Sequence, residues 1–253
     1  MKLVLASNNA KKLVELRALL AGLPLDIVSQ ASLGIAEADE PHHTFVENAL
    51  HKARHAARAS GCAAVADDSG LCVAALGGAP GVVSAHFAGE IAALANEPRE
   101  ARRARQDAAN NAALLAALAA PGASGAPGTF GAPGTFGALG GSGALDTFSA
   151  LDTFSADPAR GLAGRRGHFI CTLVAVRHAD DPEPLVAVGR WAGQILWQAR
   201  GSRGFGYDPL MFLAQFDASV AELSDAQKNR HSHRAQASAA LRALLAEVWQ
   251  LGE

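Results

Sequence analysis

Cysteine is scarce in this chain of 253 residues, and its three copies lie far apart. Cys62, Cys72 and Cys171 form no CxxC pair and no zinc-type cluster. Their spacing argues against a disulfide framework or thiolate metal centre and reads as buried thiols in a reducing compartment. Excess charge is missing too. With 22 Lys and Arg against 24 Asp and Glu, the formal net charge is −2. Nothing in bulk attracts nucleic acid or an anionic membrane, so a phosphate site would have to be built locally. No stretch approaches the roughly 20 apolar residues of a membrane span. The opening MKLVLASNNAKK holds only a short apolar run, too brief for a secretory leader. The expectation is a cytoplasmic protein with neither nucleic acid nor membrane as partner.

What is present suffices for a large core, since 49% of residues are hydrophobic and 18% charged. KLVLA at 2–6 reads as a buried strand. SNNAKKLVELRALLAGL follows as a polar turn entering a helix, with Leu13, Leu16, Leu19 and Leu20 at helical spacing and Gly22 as its stop. LDIVSQ reads as a second strand. The segment 44–60 reads as a helix, with Thr44 and Glu47 at capping-box spacing and Gly61 closing it. A strand then leads into Asp-Asp-Ser-Gly, residues 67–70, read as a turn with a second apolar run as its hairpin partner. A helix is expected over 96–120, its arginines forming a solvated face rather than a nucleic-acid patch. Strands follow at 168–176 and 185–196, and mostly helix from Ser224 to Trp249.

Residues 121–160 break the pattern. GAPGTF occurs twice in tandem, then ALDTFS twice in tandem, in a background of Gly, Ala, Pro, Ser and Thr without helical or strand period. Two hexapeptide copies are too few for a solenoid. The composition reads as a flexible, disordered insertion arising from local duplication.

Four polar segments carry candidate chemistry. At 7–12, a strand-to-helix junction offers backbone N–H groups to an anion, with Ser7, Asn9 and Lys12 to complete a cradle; the plain reading is a capped turn. In the helix 44–60, Glu47 and His51, like Asn48 and Lys52, are four apart on one face, the plain reading being surface ion pairs. The third segment is Asp67-Asp68-Ser69-Gly70, ordinary turn chemistry when alone. The fourth joins GSRGFGYDP at 201–209 to QKNRHSHR at 227–234. There Phe205 lies between Gly204 and Gly206, and Lys228, His233 and Arg234 supply cations. Positions 228 and 233 fall about 140° apart on an ideal helix, so a break near Ser232 would help to gather them. Cations in two places suit a polyphosphate, clustered acids suit a divalent metal, and an aromatic between glycines suits a stacked base. Together they fit a nucleoside triphosphate with magnesium.

These blocks are LASNNAKKLVEL, TFVENALHKARHAA, VADDSGLCVAALGGAPGVVSA, GFGYDP and AELSDAQKNRHSHRAQA. In this order they resemble the inosine/xanthosine triphosphate pyrophosphatase family, the Ham1-like enzymes, over nearly everything except 121–160. The resemblance implies an α/β fold: an elongated mixed β-sheet with flanking helices, two lobes around a central nucleotide-binding cleft, and a single domain over 1–253. It implies a homodimer that hydrolyses non-standard purine triphosphates (ITP, dITP, XTP) to monophosphate and pyrophosphate with Mg2+. Carried over by position, Ser7, Asn8, Asn9, Ala10, Lys11 and Lys12 would hold the triphosphate. Asp68 would be the catalytic carboxylate and a metal ligand, Ser69 would lie beside the substrate, and Glu40, or else Asp67, would be a further metal ligand. Phe205, Gly206, Tyr207 and Asp208 would hold base and sugar, and Lys228, His233 and Arg234 base or phosphate. On this reading a strand ends at Asp67-Asp68 and the turn presents the acid. The chain departs from the family at His86 and Phe87, where Arg and Tyr are usual, and in its insertion. Two other readings are a Maf-like pyrophosphatase of different base preference and a nucleotide sensor that does not hydrolyse.

Overall fold

The computed structural model describes residues 1–119 and 164–251, the side chains of Ala10 and Lys11 excepted. The expected insertion at 121–160 lies outside the described residues. Strands β1 (Lys2–Leu5), β2 (Asp26–Ser29), β3 (Ala63–Val73), β4 (Arg166–Val176), β5 (Leu185–Ile195), β6 (Met211–Leu213) and β7 (Ala218–Ser219) form one sheet in the order β2-β1-β3-β4-β5-β6-β7. β1 runs parallel to both β2 and β3, and every later pairing is antiparallel.

The helices are α1 (Ala10–Leu19), α2 (Phe45–Ser60), α3 (Arg99–Ala119), α4 (Asp225–His231) and α5 (His233–Val248). α2 begins at Thr44, whose Oγ1 accepts the Glu47 N–H at 3.3 Å, and ends at Gly61 in the left-handed region with φ 66°. Its alanines 49, 53, 56 and 57 recur at helical spacing and pack on Ala64, Ala66, Val174 and Val176. On the opposite face of the sheet, Leu16 and Leu20 join Leu241 and Leu245 of α5 over Val65, Cys171 and Leu173. Farther along that face, Leu114 of α3 meets Leu71, Trp191 and Tyr207. The expected break falls at Ser232, which has extended backbone and caps α5 by accepting the Ala235 N–H.

The central expectation about residues 67–70 is overturned. There is no turn and no hairpin: β3 continues through Asp67-Asp68-Ser69-Gly70 to Val73, paired with β4 from Ala64↔Val176 to Val73↔Gly167. The local turn preference of Asp, Ser and Gly is outweighed because β4 pairs along one edge of the whole stretch, while Asp68 Oδ1 and Ser84 Oγ accept the Ser69 and Leu71 N–H groups on the other. Gly70 is required for closeness rather than for bending. A Cβ there would lie 2.5 Å from both the Gly81 carbonyl oxygen and Ser84 Oγ. Ser84 Oγ also accepts the Leu71 N–H, locking the 3-10 segment Gly81–His86 onto the strand.

The Arg-rich start of α3 is not simply a solvated face. Arg105 pairs with Glu97 at 2.7 Å, Arg102 binds the Ile91 carbonyl, and Arg103 lies over the Phe205 ring. β6 and β7 carried no sequence expectation.

Gly70→Ala should therefore lower stability by about 1–3 kcal/mol, the usual cost of overpacking. Urea denaturation measures it, and an unchanged midpoint would contradict the close approach.

Candidate active site

Side chains alternate across a strand, so Asp67 and Asp68 point to opposite faces of β3. Asp67 shares its face with Val65 and Leu71, under α1 and α5; Asp68 shares its face with Ala64 and Ala66, under α2. β1 pairs with β3 only as far as Leu5↔Val65. Beyond that point the β3 edge on that side is left by β1, and the chain turns through Ser7, Asn8 and Asn9 into α1 beside both acids.

On the Asp67 face, Lys12 Nζ lies 2.8 Å from Oδ1 and Arg234 Nη2 3.5 Å from Oδ2, while Ser69 Oγ donates to Oδ2 at 3.3 Å. Burial pushes the Asp67 carboxyl up, but the two cations outweigh it and hold it well below the usual carboxylate range. Residues 12 and 234 thus meet around one carboxylate. Ser7 Oγ accepts the Asn9 N–H, and Asn8 Oδ1 accepts from Gln30. The backbone at Ala10 and Lys11 opens α1, where first-turn N–H groups lack helical acceptors and suit an anion. Cys171 lies under Ser69 on this face, its thiol pushed up to about 11 by burial and then by Asp67.

On the other face, Lys52 Nζ stands 2.5 Å from Glu40 Oε1 and 3.9 Å from Asp68 Oδ1. Of the pair Asn48 and Lys52, read from sequence as a surface pair, Asn48 is buried and Lys52 partly buried. Asn48 is 1% exposed and holds the His42 N–H and carbonyl. Asp68 is pushed up to about 6: burial raises it most, Lys52 opposes, and the Glu40 charge adds to the rise. Asp68 Oδ2 is buried and accepts no hydrogen bond.

This orphaned oxygen tests whether a divalent cation fits. Asp68 and Glu40 already form an oxygen set around a positive ammonium, and hard cations take oxygen ligands. The described residues contain no cluster of three or more His, Cys, Asp or Glu suited to a metal. Two carboxylates fit a cation that draws its other ligands from substrate phosphate and water.

The third group gathers around Phe205, which is 46% exposed. Gly204 and Gly206 have φ 79° and 61°, the left-handed region that favours glycine, and turn the backbone tightly on either side of the ring. Lys228 Nζ lies 4.5 Å from the ring centroid and forms a 2.5 Å ion pair with Asp208. Two expected substrate contacts are instead engaged within the fold. Tyr207 is buried and its hydroxyl donates to the Ser84 carbonyl, while buried Asp208 accepts the Phe205 N–H. His233 stacks on Phe169 with ring centroids 5.1 Å apart. Burial, then Arg234 and Lys228, hold His233 down at about 3. His233 Nδ1 and Arg234 Nε are buried without partners. His86 is exposed, whereas Phe87 packs against the cluster around Leu114.

Sequence reading assigned no site role to the α3 residues facing Gly206, gave Asn48 and Lys52 only as a pair on one helix face, and held Asp67 as the alternative to Glu40 for the metal. The i, i+4 spacing of Asn48 and Lys52 was the available signal.

A family model described as the Ham1 family matches residues 3–130 and 131–244. A dITP/XTP pyrophosphatase of Methylibium petroleiphilum is 53% identical over 249 residues, 98% of this chain and 99% of the relative. One from Leptothrix cholodnii is 54% identical over 255 residues, 99% of this chain and 100% of the relative. Among solved structures, a HAM1 protein from Coxiella burnetii superposes with TM-score 0.73 at 34% identity, covering 98% of this chain and 99% of that one. The Staphylococcus aureus Ham1 protein gives 0.68 at 28% identity over 97% and 98%.

The two shifted groups make opposite contributions to stability. Between about pH 4 and 6, native Asp68 keeps a proton that the unfolded chain has released, so acidification favours folding there. Native His233 lacks a proton that the unfolded chain takes up below 6.5, so acidification disfavours folding. Asp68→Asn removes the first contribution alone. Measured in chelated buffer from pH 6 to 4, its stability should fall more steeply than wild type, by up to about 1.4 kcal/mol per pH unit. Parallel slopes would contradict the Asp68 environment.

Proposed function

The chain belongs to the Ham1 family, and from that premise we propose that it hydrolyses ITP, dITP and XTP to the monophosphate and pyrophosphate. The observation that carries this reading is the buried, unpartnered Asp68 Oδ2, held beside Lys52 and Glu40 where β3 outruns β1. A module that only bound nucleotide would gain nothing from uncompensated carboxylate oxygen near a polyphosphate.

The triphosphate lies along the exposed edge of β3, its outer phosphates against Lys12, Arg234 and the α1 N-terminus. Asp68, near 6, is largely ionised at neutral pH and basic enough to orient or deprotonate a water. That water attacks the α-phosphorus, the bond from it to the α–β bridging oxygen breaks, and pyrophosphate leaves with the bond electrons. Lys12 and Arg234 offset the charge that develops on the leaving group. Asp68 and Glu40 would hold magnesium, which when bound neutralises triphosphate charge and acidifies coordinated water. Phe205 offers a face for the base. The unpartnered His233 Nδ1 supplies a donor for the 6-oxo acceptor of hypoxanthine and xanthine. Adenine presents a 6-amino donor there and leaves it unpaired, a mismatch of about 1–3 kcal/mol.

Matches spanning 98% of the chain support reading 1–253 as one two-lobed domain. A homodimer is what the family resemblance implies, and the scattered thiols fit a cytoplasmic setting. Among the described residues no helix is long and apolar enough to cross a membrane.

Incubation with ITP and magnesium should release IMP and pyrophosphate in equal amounts, faster than GTP or ATP yield theirs. Asp68→Asn should retain less than about a tenth of the wild-type rate, a barrier increase above 1.4 kcal/mol. Intact ITP after incubation would sink the enzymatic reading. An active Asp68→Asn variant would displace Asp68 from its centre.

A further inference from the structure

Phe205 is held locally by Asp208, which accepts its N–H, but Gly206 has its polar groups engaged from elsewhere in the chain. Gly204 and Gly206 make the loop permissive, and a permissive loop needs an outside restraint to present one conformation. That restraint comes from α3, whose residues 103, 107 and 111 are four apart and so share one face. Asp107 Oδ2 accepts the Gly206 N–H at 2.8 Å, and Asn111 Nδ2 donates to the Gly206 carbonyl at 3.0 Å. Both polar groups of one peptide-rich turn are therefore gripped from a helix about a hundred residues earlier in the chain. One turn before Asp107, the Arg103 guanidinium lies 5.1 Å from the Phe205 ring centroid. The adjoining stripe of α3 fixes the helix in place: Gln106 bonds Gly89 and Ile91, and Asn110 bonds Ala85 and Ala88. Ser84, at the start of that second loop, accepts from Tyr207. α3 thus brackets the 84–91 loop and the 204–207 loop together.

We infer that Asp107 and Asn111 are positioning residues that fix the Gly204–Tyr207 backbone and thereby set the affinity and selectivity of the Phe205 platform for the purine base. Its functional half rests on the nucleotide reading above. Neither residue touches the triphosphate groups, so their loss acts on binding of the base rather than on the attack at phosphorus. Asp107 acts as an acceptor, so Asn at that position, which keeps an acceptor oxygen, preserves the grip. Asn111 acts as a donor, so Asp at that position breaks it.

Two measurements separate the clamp from the function. Without nucleotide, hydrogen exchange of the peptide spanning 203–208 should quicken about tenfold in Asp107→Ala and Asn111→Asp and stay near wild type in Asp107→Asn, because one lost hydrogen bond shifts local opening by that order. With nucleotide, the first two variants should raise KM for ITP about tenfold, keep kcat within about threefold and narrow the ITP-to-GTP ratio, while Asp107→Asn stays near wild type. Unchanged exchange in both disruptive variants would overturn the clamp. Faster exchange with unchanged KM and selectivity would overturn its role in base recognition, as would an equal loss in Asp107→Ala and Asp107→Asn. If the wild-type protein left ITP intact, the function would fail and its role in base recognition with it, while exchange would still decide the clamp.

Discussion

The site depends on the two-residue period of one strand. Because β3 is extended through Asp67 and Asp68, adjacent carboxylates emerge on opposite faces of the sheet and meet different surroundings. Pairing with β4 along ten consecutive registers, from Ala64 to Val73, fixes which acid faces which way. A slip of one residue would exchange them and carry Leu71 and Val73 out of the core.

From that constraint the electrostatics follow. Asp67 lies between Lys12 and Arg234, which would repel one another without it, and is held ionised. The cation paired with Asp68 among the described residues is the more distant Lys52, itself drawn toward Glu40; with the Ser69 N–H on Oδ1 it does not outweigh burial, and the carboxyl rises to about 6. Two neighbouring residues of one type acquire opposite behaviour through environment alone. β1 pairs with β3 only to Leu5↔Val65, before either acid is reached.

Much of this was legible in the sequence because local signals agreed with the tertiary outcome. Thr44 and Gly61 bound α2, and the 140° separation of 228 and 233 favoured a break near Ser232, where α4 and α5 do part. The Asp-Asp-Ser-Gly turn failed because local preference speaks only for an unpaired segment. Whether β4 would pair along it, and whether Gly81 would crowd Gly70, are facts of distant chain. Asp107 and Asn111 were silent for the same reason: their partner Gly206 lies 99 and 95 positions away, and no spacing rule spans those gaps. Tyr207 sat in a motif shared with a ligand platform, yet its hydroxyl serves the Ser84 carbonyl. β6 and β7, three and two residues long, are too short to show a period.

The central claim is that water positioned at Asp68 attacks the α-phosphorus. Hydrolysis of ITP in water enriched in oxygen-18, with both products analysed by mass spectrometry, tests it most directly. The account predicts one labelled oxygen in IMP and none in pyrophosphate. Label in the pyrophosphate would place the attack on the β-phosphorus and contradict it.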